Sequence, residues 1–216
     1  MNGNLTELVF ILDRSGSMSG LEDDTIGGFN SLLNKQKKVE GECVITTVLF
    51  DNMYELLHDR LNLKGVEPIT DKEYFTRGST ALLDAIGMTV KKIDNAQKHT
   101  IEQERAEKVM FVIITDGYEN ASREYDYKKI RQMVEHQEKC HGWEFIFLGA
   151  NIDAIGTAEK FGVRASRAAN YHADSKGTQL SYEAVSDAVS YCRRVGRLNE
   201  NWKDIIDDDF KNRGKK

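Results

Sequence analysis

The chain has 216 residues, a formal net charge of −5 and a pI near 5.6, with 40% hydrophobic, 30% charged and 9% aromatic residues. That length suits one domain able to cover both faces of a sheet, and that apolar content offsets the cost of ordering the chain, which excludes extensive disorder. The acidic balance, with no stretch of interleaved basic and aromatic residues, argues against nucleic acid as a direct ligand.

The first apolar run has no basic region before it and is closed by Asp13 after five residues, too soon for a signal peptide or membrane span. A cytoplasmic protein with no membrane partner is expected. Cys43, Cys140 and Cys192 are odd in number and widely spaced, which fits a reducing compartment better than a disulfide framework.

In chain order, "ELVFILD" reads as a first buried strand. Residues 20–39 place Leu21, Ile26, Phe29, Leu32 and Leu33 near helical spacing, with acids early and lysines late, as the helix dipole prefers. "CVITTVLF" and "MYELLHDRLNL" flank "DN", a hairpin turn that makes the third strand antiparallel and an edge. A loop containing Pro68, the only proline, leads through "DKEYFTRGST" to a helix starting at Ala81. "VMFVIITDG" and "WEFIFLGAN" are two further buried strands, separated by a helix near 126–139. A helix near 153–161, a weaker strand near 167–172 and a helix near 178–196 complete six strands and about six helices. The fold class is α/β, with helices on both sides of the sheet, over a single domain at 1–200. Residues 201–216, acidic then basic, read as a charged C-terminal end that is partly frayed.

Ligands of open α/β sheets collect outside the carboxyl ends of strands, where Asp13 and Asp116 both lie. Two carboxylates held together beside apolar strands repel and are poorly solvated, so a cation is expected between them. Ser15 and Ser17 follow Asp13 at steps of two, and Gly16 eases the bend that turns all three oxygens inward. An oxygen-only set favours a hard cation. Mg²⁺ suits it best, because it wants about six oxygens and keeps several waters; Mn²⁺ or Ca²⁺ can substitute.

The motifs "DRSGS", "RGST" and "ITDG", in this order over most of the chain, resemble those of von Willebrand factor type A (vWA) domains. The resemblance implies a three-layer, doubly wound, Rossmann-like fold: a mostly parallel six-stranded sheet with one antiparallel edge strand and helices on both faces. It also implies a metal-ion-dependent adhesion site (MIDAS). There Ser15, Ser17 and Thr80 coordinate through hydroxyls, Asp13 and Asp116 bind directly or through water, and an acidic side chain of a protein partner completes the coordination. "FIFLGANIDA" and "GLEDDTIGGFN" further resemble small stand-alone bacterial or phage members.

The function expected is therefore a non-enzymatic, metal-dependent protein-interaction module. Its rival is a Mg²⁺-dependent phosphohydrolase or phosphotransferase with an aspartyl-phosphate intermediate, which would want an acid where Ser15 stands. A third reading gives the metal a structural role only. Arg14, Met18, Glu119 and Asn120 are loop residues, either solvent-facing or lining the partner surface. Asp84 reads as an acid favoured by a helix N-terminus, or as an anchor for a loop. His136 and Cys140, four apart on a helix, lack a second ligand pair for zinc.

Overall fold

Strand β1 (Asn2–Asp13) lies inside the sheet, and its apolar run alternates between two helical layers. In the computed structural model, which describes residues 2–213, Leu8, Phe10 and Leu12 face one layer and Val9 and Ile11 the other, all fully buried. Burial on both faces is what a parallel strand covered by crossover helices requires.

The remaining elements are α1 (Glu22–Gln36), β2 (Glu42–Phe50), β3 (Tyr54–Asn62), α2 (Leu82–His99), β4 (Ala106–Thr115), α3 (Tyr127–His141), β5 (Glu144–Ala150), α4 (Ala154–Lys160), β6 (Ala168–Tyr171), α5 (Ser175–Val195) and α6 (Asp204–Arg213). The six strands run in the order β3-β2-β1-β4-β5-β6. All neighbours are parallel except β3, which pairs antiparallel with β2 and forms one edge. The expected α/β sheet with its antiparallel edge strand is therefore present.

Helices α1 and α5 cover one face, where the Phe10 and Phe29 rings meet edge to face at 5.2 Å. The absence of a side chain at Gly28 admits Tyr182: a Cβ there would stand 2.4 Å from the tyrosine ring. Helices α2, α3 and α4 cover the other face through Leu83, Ile86, Val90, Ile130, Val134 and Ala158.

Two expectations differ at element ends. Helix α5 starts at Ser175 rather than near 178, because the Asp174 carboxylate accepts from Gly177 N–H at 2.8 Å and caps the extra turn. Within the charged end at 201–216, expected to be partly frayed, Asp204–Arg213 form α6. Arg213 pairs with Asp209 one turn earlier and with Asp174, and Lys176 of α5 reaches Asp209. Ile206 is buried, and the Phe210 ring stacks on His172 at 4.7 Å. Residues 214–216 of that expected end lie outside the described residues. Among the described residues no helix is long and apolar enough to cross a membrane, and the three cysteines are free thiols.

From β1 the chain crosses by α1 to β2 on one side, and from β4 it crosses by α3 to β5 on the other. The junction between β1 and β4 is thus a topological switch point, which leaves a crevice beyond the strand ends.

Candidate metal site

Asp13 is the last residue of β1, and Asp116 follows the last residue of β4, so the switch point brings the two carboxylates together. Asp13 is 1% exposed. Its Oδ1 accepts from Ser15 N–H at 2.6 Å and its Oδ2 from the Thr115 hydroxyl at 2.5 Å. Burial pushes the Asp13 carboxyl up to about 6, these bonds oppose the rise, and the neighbouring Asp116 adds to it.

Asp116 is raised too, again mainly by burial. Both of its carboxylate oxygens are buried and neither has a hydrogen-bond partner; Ser17 lies close enough to offset part of the penalty but not at bonding geometry. An ionised carboxylate left in that state is costly, and a cation is the natural compensation.

The hydroxyls gather at the same place. Ser15 Oγ and Ser17 Oγ stand 3.0 Å apart. A Cβ placed on Gly117 would lie 2.8 Å from Ser17 Oγ and 3.1 Å from Thr80 Oγ1. The glycine after Asp116 therefore keeps open the space into which the first and second loops send their hydroxyls. All five residues expected from the sequence, Asp13, Ser15, Ser17, Thr80 and Asp116, come together. Ser17 is exposed and the other four are buried, so the cluster opens to solvent on one side.

Backbone bonds fix the three loops to one another. Gly16 N–H donates to Gly78 O at 3.1 Å and Arg77 N–H to Arg14 O at 2.8 Å, joining the first loop to the second. Asn120 Oδ1 accepts from Thr80 N–H at 2.9 Å while Asn120 N–H donates to Thr80 O at 3.0 Å, joining the second to the third. Tyr74, fully buried, donates its hydroxyl to Asp13 O at 2.6 Å.

Several loop residues have roles the sequence did not disclose. Arg14 and Met18 are neither solvent-facing nor on a partner surface; both are buried. Arg14 Nε meets Asp51 Oδ2 at 3.1 Å and its Nη2 meets Glu55 Oε2 at 2.7 Å, which staples the first loop to the β2–β3 hairpin. Glu119 braces the N-terminus of α2: its carboxylate accepts from the N–H groups of Leu83, Ala121 and Ser122. Asp84 anchors the third loop by accepting from the N–H groups of Arg123, Glu124 and Tyr125 at 2.8–2.9 Å. Tyr74, Thr115 and Gly117 also escaped the sequence reading. Only the last two carried a signal, as the neighbours of Asp116 in "ITDG".

Chemically, two carboxylates and three hydroxyls form an all-oxygen set, which fits a hard divalent cation. The other polar clusters do not gather in this way. Cys140 Sγ lies 3.5 Å from His136 Nδ1 on the exposed side of α3, and among the described residues no group of three or more His, Cys, Asp or Glu is arranged for a metal. Glu22 is spent on Gly20 N–H and the Thr76 hydroxyl.

No protein-family model matches the chain, and no curated protein sequence matches it. Solved structures do. Proximal thread matrix protein 1 from the mussel byssus, described with a zinc-occupied MIDAS motif, superposes with a TM-score of 0.58 at 13% identity, over 88% of this chain and 47% of its own. A von Willebrand factor type A protein from Catenulispora acidiphila gives 0.59 at 12% identity, over 86% of this chain and 42% of its own. Manganese-loaded TRAP protein of Plasmodium vivax gives 0.56 at 15% identity, over 83% and 73%. The chain spans less than half the length of the first two.

Proposed function

On the von Willebrand factor type A fold that this chain shares with those proteins, we propose that Asp13, Ser15, Ser17, Thr80 and Asp116 hold one divalent cation, Mg²⁺ by preference. Through that cation the protein captures an acidic side chain of a protein partner. The observation that carries this reading is the Asp116 carboxylate, buried with both oxygens unpartnered beside the hydroxyls of Ser17 and Thr80. The zinc-occupied motif of the byssus protein and the manganese in the parasite protein support a divalent ion on this fold.

A cation held by these residues would supply Lewis acidity toward a foreign carboxylate. The chain's own residues set its strength. Three of the five donors are neutral hydroxyls, so the two carboxylates would balance a divalent ion's charge without overcompensating it, which leaves room for an incoming anion. Thr115 and the Ser15 N–H hold Asp13 in place, and Asn120 holds Thr80. This is capture without turnover: Ser15 stands where an aspartyl-phosphate enzyme would want its second acid.

Immobilised glutamate-containing peptides, with glutamine versions as controls, test the reading. The protein should be retained in Mg²⁺ and released by EDTA. Asp13→Ala and Thr80→Ala should lose at least roughly tenfold in retention, in the range seen when metal sites are disturbed, with unchanged circular dichroism. Retention by these variants equal to that of the parent would contradict it. Mg²⁺-dependent phosphatase turnover lost in Asp13→Asn would favour the rival enzyme.

A pH dependence follows as well. In EDTA the folded state keeps Asp13 neutral up to about 6, whereas the unfolded chain ionises it near 4. The folded protein therefore binds the extra proton in that window, and stability is highest below it. Stability should fall as pH rises from 4 to 6, by about 2 kcal/mol for this group. Mg²⁺ favours the carboxylate and should reverse the slope. Thermal melts of the parent and Asp13→Asn across this range, with EDTA or Mg²⁺, isolate the contribution; a parent slope identical to that of Asp13→Asn would refute it.

A further inference from the structure

At the foot of the sheet, at the end opposite the five metal-site residues, Arg193 of α5 is 7% exposed. Its guanidinium reaches the C-terminal end of α1 and the loop beyond it: Nη1 donates to Gln36 O at 2.6 Å, and Nη2 to Val39 O at 3.3 Å and Gly41 O at 3.1 Å. All of these acceptors are neutral, as is Gln36 Oε1 at 3.3 Å. Among the described residues no carboxylate pairs with Arg193, whereas buried Arg14 has two such partners and Arg167 has one. The carbonyls of a helix end offset roughly half a unit of charge. The buried cation is thus compensated only in part, and burial pulls the guanidinium below its ordinary pKa.

A cavity of about 80 Å³ adjoins this group. Lys37, just after α1, and Asn62 and Lys64, at and beyond the end of β3, line it together with Arg193. The lining carries one carboxylate, Glu42, against these three cations. Hydrogen-bond donors remain available. Lys37 Nζ gives one of its three protons to Val66 O at 2.6 Å, and Lys64 Nζ gives none to any described residue. Asn62 spends its side-chain oxygen on Lys64 N–H at 3.0 Å, which leaves its NH₂ to donate. Since a water takes up roughly 30 Å³ in the liquid, the cavity has room for about two or three waters, or for one tetrahedral oxyanion.

We propose that this cavity is an oxyanion site, taking the phosphate group of a small ligand or of a lipid headgroup on Lys37, Lys64 and Asn62, with Arg193 as fixed charge behind them. A phosphate suits it better than a carboxylate, because the three cations exceed Glu42 by two charges and a phosphate has more oxygens to accept their N–H groups. The site shares no residue with the metal cluster and stands or falls independently of it.

Thermal melts in EDTA, which keeps phosphate from binding through a metal, test it with inorganic phosphate as the probe and sodium chloride of equal ionic strength as the control. Phosphate should raise the melting temperature saturably where chloride does not. Lys64 is exposed, so its charge can be reversed without disturbing the fold. Lys64→Glu, and the pair Lys37→Gln with Lys64→Gln, should weaken the apparent phosphate affinity at least roughly tenfold, the scale of losing one charge-assisted hydrogen bond, while melting close to the parent in chloride. Sedimentation with phosphatidylcholine vesicles, with and without phosphatidic acid, separates the two sources. Co-sedimentation that needs phosphatidic acid and is lost in Lys64→Glu assigns the lipid headgroup; its absence beside a saturable phosphate response assigns a soluble phosphate ligand. No saturable phosphate response, or one unchanged in both variants, overturns the site.

Discussion

Gly117→Ala should leave the protein folded and deprive it of its cation. The backbone at Gly117 is not in the left-handed region, so alanine is conformationally acceptable there. Its methyl group would fall 2.8 Å from Ser17 Oγ and 3.1 Å from Thr80 Oγ1. Both are ends of side chains that can rotate away at little cost, so the fold is spared. The two hydroxyls that turn aside are the ones needed for the metal. Mg²⁺ affinity by calorimetry should fall roughly 100-fold, the upper end of what disturbed metal sites lose, while the melting temperature in EDTA moves by only a few degrees. Unaltered Mg²⁺ affinity would show that Ser17 and Thr80 do not face a cation across Gly117.

Arg14→Ala should have the largest effect on stability. Arg14 is fully buried, and its guanidinium bridges Asp51, itself 1% exposed, and Glu55. Breaking a buried ion pair by removing one partner typically costs about 3–5 kcal/mol, because the remaining charge is stranded. Here Arg77 stays on Asp51 at 2.7 Å, which places the loss near about 3 kcal/mol and the fall in melting temperature at roughly 6–12 °C. Arg14→Lys should recover little, since one ammonium cannot fork to two carboxylates as a guanidinium does. Thermal melts in EDTA keep the metal out of the comparison, and a loss under 1 kcal/mol would show the staple to be dispensable.

These two positions also mark where the sequence stopped being informative. The alternation of Leu8 to Leu12, the hairpin at Asp51 and Asn52, and the spacing of α2 are local patterns, and local patterns carried the fold class and the strand order's antiparallel edge. Asp13, Ser15, Ser17 and Asp116 were legible because aspartates stand at the ends of two strands and hydroxyls follow the first at steps of two, whereas Thr80 came only from the resemblance of "RGST" to the vWA motif. Arg14 was not, because its partners lie 37 and 41 residues away on a hairpin that only the folded sheet brings beside it. Asp84 and Glu119 look like ordinary helix-terminal and loop acids, yet Asp84 collects three backbone N–H groups of the third loop from across the gap, and Glu119 collects one from α2 and two within its own loop. Gly117 was visible as a letter but not as a space. Around α6 some of the charges that resembled a solvated tail pair one helical turn apart, Lys203 just before the helix with Asp207 and Arg213 with Asp209.

Each of these braces serves rigidity, which a metal site needs if its donors are to wait in position rather than be gathered by the ion. Tyr74 on the Asp13 carbonyl and Asn120 on Thr80 do so by bonding to the backbone of two candidate ligands.

Anomalous diffraction from crystals grown in Mn²⁺ tests the centre of this account most directly, since manganese scatters anomalously and accepts the oxygen ligands that suit Mg²⁺. One strong peak should appear among Asp13, Ser15, Ser17, Thr80 and Asp116, and vanish in Gly117→Ala. A map with no peak there, or with the five side chains turned apart, would contradict it.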